Sequence, residues 1–259
     1  MPARYDKIGK TYSSTRAADP RIVSRLSDLL DLPLGAALID IGAGTGNYSH
    51  ALAELGFDVH AVEPSAVMRE QAKAHANLNW YEGTAEKLPF DDDRFAGAVM
   101  TLCIHHFTDW QLGIREALRV TRNGPLVMFA FDIEFQGTFW LFDYIPQFKE
   151  LDKTMGPTLQ QLANFVEDDL QKRFYAEPFP LPKDLQDHFA MADWAQPENY
   201  LKEEYQAGIS TFHKLDKQEM QQGLQALEDD LNDGSWSRKY GHLLEQDVYD
   251  QGYLFLRIN

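Results

Sequence analysis

Cysteine is almost absent: the 259 residues contain one, Cys103. That excludes an internal disulfide framework and a cysteine-based metal cluster, and no metal site is expected elsewhere. Long apolar runs are missing too, so no segment reads as membrane-spanning. The opening Met-Pro-Ala-Arg-Tyr-Asp-Lys lacks the apolar stretch of a secretory leader, and a cytoplasmic location is expected. Basic residues are outnumbered, with 24 Lys and Arg against 40 Asp and Glu, for a formal charge of −16. Phosphate-backbone binding draws on a basic face, and the few Lys and Arg are scattered, so no nucleic-acid partner is expected. Repeats and low-complexity tracts are also lacking. What remains is ordinary for one folded, enzyme-sized unit: 44% apolar and 25% charged residues, in a chain long enough for one substantial core.

Against those absences stands a dense local signal. In Leu38-Ile39-Asp40-Ile41-Gly42-Ala43-Gly44-Thr45-Gly46-Asn47 a short apolar strand meets an acid, then three glycines at alternate positions. Asn47 to Leu55 reads as a helix. Glycine lets the chain turn sharply and lets a ligand approach the main chain, so this strand–loop–helix offers free backbone N–H groups to a nucleotide. A dinucleotide fingerprint wants its third glycine at the sixth place. Asn47 stands there instead, and the glycine comes one residue early, at Gly46. Asp40 at the strand end suits a cation better than a pyrophosphate.

A second strand, Phe57 to Val62, ends in Glu63, seventeen residues after Gly46. A carboxylate at that tip is where such folds hold ribose hydroxyls. Pro64-Ser65 then opens a helix with Ser65 as N-cap and Met68 on its inner face. Leu78–Glu86 reads as a strand and loop, and Phe95–Thr101 as a buried fourth strand that runs into Leu102-Cys103-Ile104-His105-His106-Phe107.

These residues resemble the class I S-adenosylmethionine-dependent methyltransferases, in the broad small-molecule group (methyltransferase type 11) that includes the ubiquinone/menaquinone C-methyltransferases. Asp40–Gly46, Glu63-Pro64-Ser65, Gly83–Phe90 and His105-His106-Phe107 carry the likeness. It covers residues 1 to about 131 and is weak beyond. It implies S-adenosyl-L-methionine as cofactor and a Rossmann-like α/β fold: a mostly parallel seven-stranded sheet with helices on both faces and a helical, aromatic-rich lid in the C-terminal half. It also implies roles. Gly42, Ala43, Gly44 and Gly46 would lie under the methionine part, with Asp40 near its amino group. Glu63 and Pro64 would meet the ribose, Met68 the adenine face, and Ala85 and Glu86 the adenine edge. Thr101 and Leu102 would floor the site beside the sulfonium.

Before the first helix, which starts at Asp19-Pro20 with Ile22, Val23, Leu26, Leu29 and Leu30 on one face, the family likeness implies a flap. Tyr12 would cover the sulfonium and Arg16 would reach the cofactor carboxylate. After it, Asp109–Thr121 has helical spacing and Leu126–Phe131 reads as a fifth strand. Residues 133–165 are aromatic-rich and read as helices, either a packed layer or a pocket lining. A sixth strand is expected near Arg173–Phe179, helices over 184–231, and an antiparallel strand at Tyr249–Ile258 that finishes the sheet. The whole is read as one methyltransferase domain: flap 1–18, cofactor core 19–132, and substrate lid with the last elements 133–259.

The expected function is methyl transfer to a small molecule with an O-, N- or C-nucleophile. Positioning supplies much of the rate in such a displacement. His105 and His106 are the candidate bases, since histidine titrates near neutrality. Asp132, Glu134 and Tyr144 are weaker candidates, and His188 and His213 read as structural. The alternatives are a tRNA-modifying methyltransferase and a non-catalytic cofactor-binding protein on the same fold.

Overall fold

The computed structural model describes residues 16–121 and 123–259. Helix α1 (Pro20–Leu30) begins where the Asp19 side chain accepts the Arg21 N–H and Pro20 fills the first turn, and all five of its predicted inward residues are buried. Then β1 (Ala37–Ile41), α2 (Asn47–Glu54), β2 (Asp58–Val62), the one-turn α3 (Ala66–Arg69) and β3 (Leu78–Tyr81) follow. Next come β4 (Gly97–Thr101), α4 (Trp110–Val120) and β5 (Leu126–Phe131). Three short helices, α5 (Leu141–Tyr144), α6 (Pro146–Asp152) and α7 (Leu159–Asn164), lead to β6 (Phe174–Pro178).

The sheet has seven strands in the order β3-β2-β1-β4-β5-β9-β6, where β9 is Tyr253–Ile258. The first five run parallel, and β9 is antiparallel to both β5 and β6. Alternate residues feed opposite faces. Leu38, Val99, Val127, Phe129 and Phe255 join the core beneath α1 and α2, while Ile39, Met100, Met128 and Leu256 join that beneath α4 and α7. No described helix is long and apolar enough to cross a membrane.

Two sequence expectations are corrected here. The last strand is shorter than Tyr249–Ile258 and does not close the sheet: β9 lies inside it, and β6 is the edge. A turn causes the break, with Gly252 at φ 79 and its N–H bonded to Asp250 Oδ1 at 3.0 Å. Upstream, β8 (Val248–Tyr249) pairs with β7 (Leu181–Pro182) in a separate ribbon. Nor is 184–231 continuously helical. Residues 183–196 form turns, and regular helix resumes only in α8 (Glu203–Ala207) and α9 (Lys217–Asn232). Asp187 and Asp193, both 1% exposed, are tied down in that irregular stretch by partners distant in sequence or by His188, and such side-chain bonds compete with helix.

The aromatic stretch after β5 turned out to be packing. Phe139, Trp140 and Phe148 are buried in one cluster with Trp194, Tyr200 and Trp236. The Trp140 indole N–H donates to Trp194 O at 2.8 Å, and its ring meets that of Trp236 edge-on, 5.6 Å between centroids.

Candidate functional site

Open α/β sheets collect ligands at the carboxyl ends of their strands. Two cavities lie there side by side. The first, about 1940 Å³ with its open mouth, is walled by the loop after β1, the tips of β2 and β3, and the segment after β4. The second, about 920 Å³ counting the open space at its mouth, is walled by the ends of β4 and β5 on one side and by α6, α7 and residues 189–191 and 208–211 on the other. Arg16, Leu102 and His106 line both, so they mark the junction.

The glycine loop is held open from behind. Gly42, Gly44 and Gly46 have φ of 73, 59 and 77, the left-handed region that side chains rarely adopt. Gly42 sits against Cys103: a Cβ there would be 2.8 Å from Cys103 Cβ. Gly44 faces open space, a Cβ meeting only Met68 Cε at 3.6 Å. Gly46 does not line the cleft. It is the residue before α2, and a Cβ on it would lie 2.4 Å from the Trp80 ring, so this glycine serves helix–strand packing.

Glu63 is 6% exposed and locks the loop in shape. Its carboxylate accepts the Gly44 N–H at 3.0 Å and the Ser65 N–H at 2.9 Å. Asp40 is 2% exposed and accepts the Ser49 hydroxyl on Oδ2. Its other oxygen, Oδ1, and the Thr101 hydroxyl are buried polar atoms without a hydrogen-bond partner among the described residues. Groups like these are normally satisfied. Both residues line the first cavity, together with Ala43, Pro64, Met68, Ala85 and Glu86. Glu86 also holds the rim, accepting the Thr108 N–H at 2.7 Å. Tyr12 lies outside the described residues.

Burial pushes the Asp40 carboxyl up to about 6, helped by the nearby Glu63 charge and opposed by the Ser49 hydroxyl. In the free protein the protonated form is the comfortable one, so this group's contribution to stability is lost as pH rises through about 6. A cation bound beside it reverses the preference. Affinity for a cationic ligand should therefore fall as pH drops, by about tenfold at about pH 5 relative to neutrality. Calorimetry with S-adenosylmethionine across that range checks this, and Asp40→Asn should bind more weakly with a flatter profile.

The histidines divide. The short 3₁₀ turn Ile104–His106 after β4 brings the His105 and His106 rings together, tilted by 53° with centroids 3.9 Å apart. His106 reaches both cavities, whereas His105 lines only the second. Leu102, between β4 and this turn, has a φ of 51 and is fixed by its N–H to Phe129 O at 2.8 Å. Such conformations in bulky residues gather at functional sites. Asp132 lines the second cavity, but Tyr144 bonds Asp230 at 2.6 Å. Neither Tyr144 nor Glu134 lines either cavity. His188 bonds Asp193 at 2.9 Å and His213 meets Ala207 O at 3.0 Å, both structural ties.

Asp187 was not foreseen. It lines the first cavity and takes the Arg16 guanidinium on both oxygens, with Nη2 to Oδ2 at 3.0 Å, and the Tyr48 hydroxyl at 2.9 Å. The link joins the start of the described chain, α2 and the C-terminal half. No local pattern announces a contact between residues 139 positions apart. Besides Asp187, the first cavity gathers Asp40, Glu63, Glu82 and Glu86, and among the described residues its one arginine, Arg16, is already paired. That balance suits a positively charged ligand.

The comparisons with known proteins agree with this geometry. The methyltransferase-domain family profile matches residues 39–129. A crystal structure of an Anabaena variabilis protein, described as a candidate methyltransferase from an antibiotic biosynthesis pathway, superposes with a TM-score of 0.90 at 43% identity, over 95% of this chain and 99% of that one. A Haemonchus contortus phosphoethanolamine N-methyltransferase in complex with S-adenosyl-L-methionine shares the fold, with a TM-score of 0.58 at 16% identity over 98% of this chain and 56% of that one. The demethylmenaquinone methyltransferase of Paenarthrobacter aurescens is 30% identical over 128 residues, 49% of this chain and 50% of its own length. The chain thus spans about half the length of the curated relatives it matches.

This chain belongs to the class I S-adenosylmethionine-dependent methyltransferases.

Proposed function

We propose that the protein transfers the methyl group of S-adenosylmethionine to a small, largely apolar acceptor, with cofactor in the first cavity and acceptor in the second. The observation that carries this reading is the junction: Arg16, Leu102 and His106 belong to both cavities, so a donor and an acceptor could meet there. The residues present fit the cofactor. Asp40 Oδ1 and the Thr101 hydroxyl await partners, the Gly44 side of the loop leaves room, and the acidic wall suits a cation.

In this reading Glu63 and Pro64 contact the ribose, Met68 packs on the adenine, and Ala85 and Glu86 lie at its edge. Gly42, Ala43 and Gly44 pass under the methionine part, whose ammonium meets Asp40. Residues 19–132 act as cofactor core and 133–259 as the acceptor side, with Arg16 at the junction between them. The bound cofactor supplies an activated methyl on a sulfonium. The chain then has to align the acceptor, exclude water and, for an O–H or N–H acceptor, take a proton. His106 at the junction is the group to take it.

The carboxylates Asp40, Glu63 and Glu82 beside the glycine loop, with a net charge of −16, favour this reading over transfer to an RNA. The test begins with thermal shift and calorimetry. S-adenosylmethionine and S-adenosylhomocysteine should each raise the melting temperature, and nicotinamide dinucleotide should not. Release of labelled methyl onto a panel of small acceptors should follow, reduced at least tenfold in His106→Ala with cofactor affinity kept. Absence of any shift with both sulfur nucleosides would remove the proposal.

A further inference from the structure

The second cavity contains a buried acid that methyl transfer does not itself require. Asp152, the last residue of α6, is 6% exposed and lines this cavity. Its Oδ1 accepts the Thr211 hydroxyl at 2.7 Å. Thr211 is also buried and also lines the cavity. Around the pair the wall is mostly hydrocarbon, with Ile104, Leu159, Leu162, Ile209 and Leu254.

A carboxylate in such surroundings is costly unless its oxygens are satisfied. Two carboxylate oxygens can accept about four hydrogen bonds, and among the described residues Thr211 is the side-chain donor to this one. Burial accordingly pushes the Asp152 carboxyl up to about 7, while the Thr211 hydroxyl and the charge of Lys214 pull the other way. Asp132 in the same cavity differs: it is only half-buried and already caps a turn through the Glu134 N–H at 3.0 Å. Among the described residues that line it, the one arginine, Arg16, is committed to Asp187.

We propose that Asp152 and Thr211 form the anchoring subsite for the methyl acceptor, selecting a molecule with an apolar body and one ammonium, N–H or O–H donor, and rejecting carboxylates. This rests on the reading of the second cavity as the acceptor site. A donor placed against Asp152 satisfies a desolvated acceptor, whereas an anion would face like charge in a poorly solvated wall. The methyl-accepting atom need not be the anchored one. Asp152 is a binding residue here, and the junction remains the reacting end.

The experiment uses the full chain saturated with S-adenosylhomocysteine and three probes on one skeleton: 3-phenylpropylamine, 3-phenylpropanol and 3-phenylpropanoate. Ligand-observed NMR reads their binding. The amine and alcohol should bind and compete with each other, with the carboxylate at least tenfold weaker. Asp152→Asn should remove most of the amine's advantage while leaving S-adenosylhomocysteine affinity unchanged by calorimetry. The order of the three probes on the unmodified protein does not depend on any variant folding. Equal or tighter binding of the carboxylate overturns the proposal, as does an unchanged amine preference in folded Asp152→Asn, or failure of all three probes to bind. Failure of S-adenosylhomocysteine to bind is a separate result, and it counts against the cofactor assignment instead.

Discussion

Glu63→Ala should weaken S-adenosylmethionine binding by roughly a few hundredfold and lower the melting temperature by a few degrees. The first effect follows from the proposed ribose contact. Two hydrogen bonds to a carboxylate amount to about 3–4 kcal/mol together, and each 1.4 kcal/mol is about tenfold in Kd. The second follows from geometry. Glu63 Oε2 accepts the Gly44 N–H at 3.0 Å and Oε1 the Ser65 N–H at 2.9 Å. Removing the carboxylate leaves two amides short of partners and frees the loop that cradles the ligand. A loss of about 1–2 kcal/mol corresponds to a few degrees for a chain of this size. Glu63→Gln separates the parts: its amide oxygen can keep one backbone bond, so stability should largely return while affinity stays low. Calorimetry that finds Glu63→Ala binding normally would contradict the assignment, whatever its melting point.

Substitutions at Gly42 and Gly44 should fail in opposite ways, although the two positions are separated by one residue. At Gly42 an added Cβ would stand 2.8 Å from Cys103 Cβ and 3.1 Å from its sulfur. Cys103 is buried and its thiol is tied to Ile41 O at 3.1 Å, so that wall cannot easily retreat. Overpacking plus a left-handed φ should cost about 2–4 kcal/mol in Gly42→Ala, a fall on the order of 10 °C in melting temperature. At Gly44 the new atoms enter the cleft and meet only Met68 Cε at 3.6 Å. Gly44→Val carries the strain of a left-handed φ without the clash, about 1–2 kcal/mol. It should therefore melt a few degrees below the parent, less far than Gly42→Ala, and yet lose cofactor binding by more than about a hundredfold, because the isopropyl group fills the space over the loop. Melting curves paired with calorimetry on both variants read the contrast. A Gly44→Val protein that binds normally would show that the ligand does not pass over this loop.

The two glycines also show where the sequence was legible. D-x-G-x-G-x-G after an apolar strand names a loop whose backbone must take positive φ, and all three glycines do. The motif does not say which glycine faces ligand and which faces neighbouring packing. Gly46 looked like part of the cradle and instead accommodates Trp80, thirty-four positions later in the chain. The aromatic residues from Phe135 to Phe148 were equally ambiguous. Composition alone suits a packed layer or a pocket lining, and the buried contacts of Phe139, Trp140 and Phe148 resolve that as core. The terminal strand pairs antiparallel as read, but it was read one element too long, and its place between β5 and β6 was not legible. An apolar alternation predicts extended chain, but register and neighbours depend on pairing partners far away.

What the sequence determined by itself is whatever is written within a few residues. The strand-loop-helix around Gly42, the acid at Glu63, the cap at Asp19-Pro20 and the apolar faces of α1 and α4 each depend on adjacent residues meeting local steric and hydrogen-bonding demands. Only the tertiary structure decided the rest: that Asp187 reaches Arg16 and Tyr48, that Asp152 and Thr211 share one buried hydrogen bond across fifty-nine positions, and that two cavities meet at Leu102 and His106. Those arrangements come from how the C-terminal segments close over the sheet. Long-range closure is driven by non-directional burial of apolar surface, which leaves no short pattern to mark the polar groups it brings together.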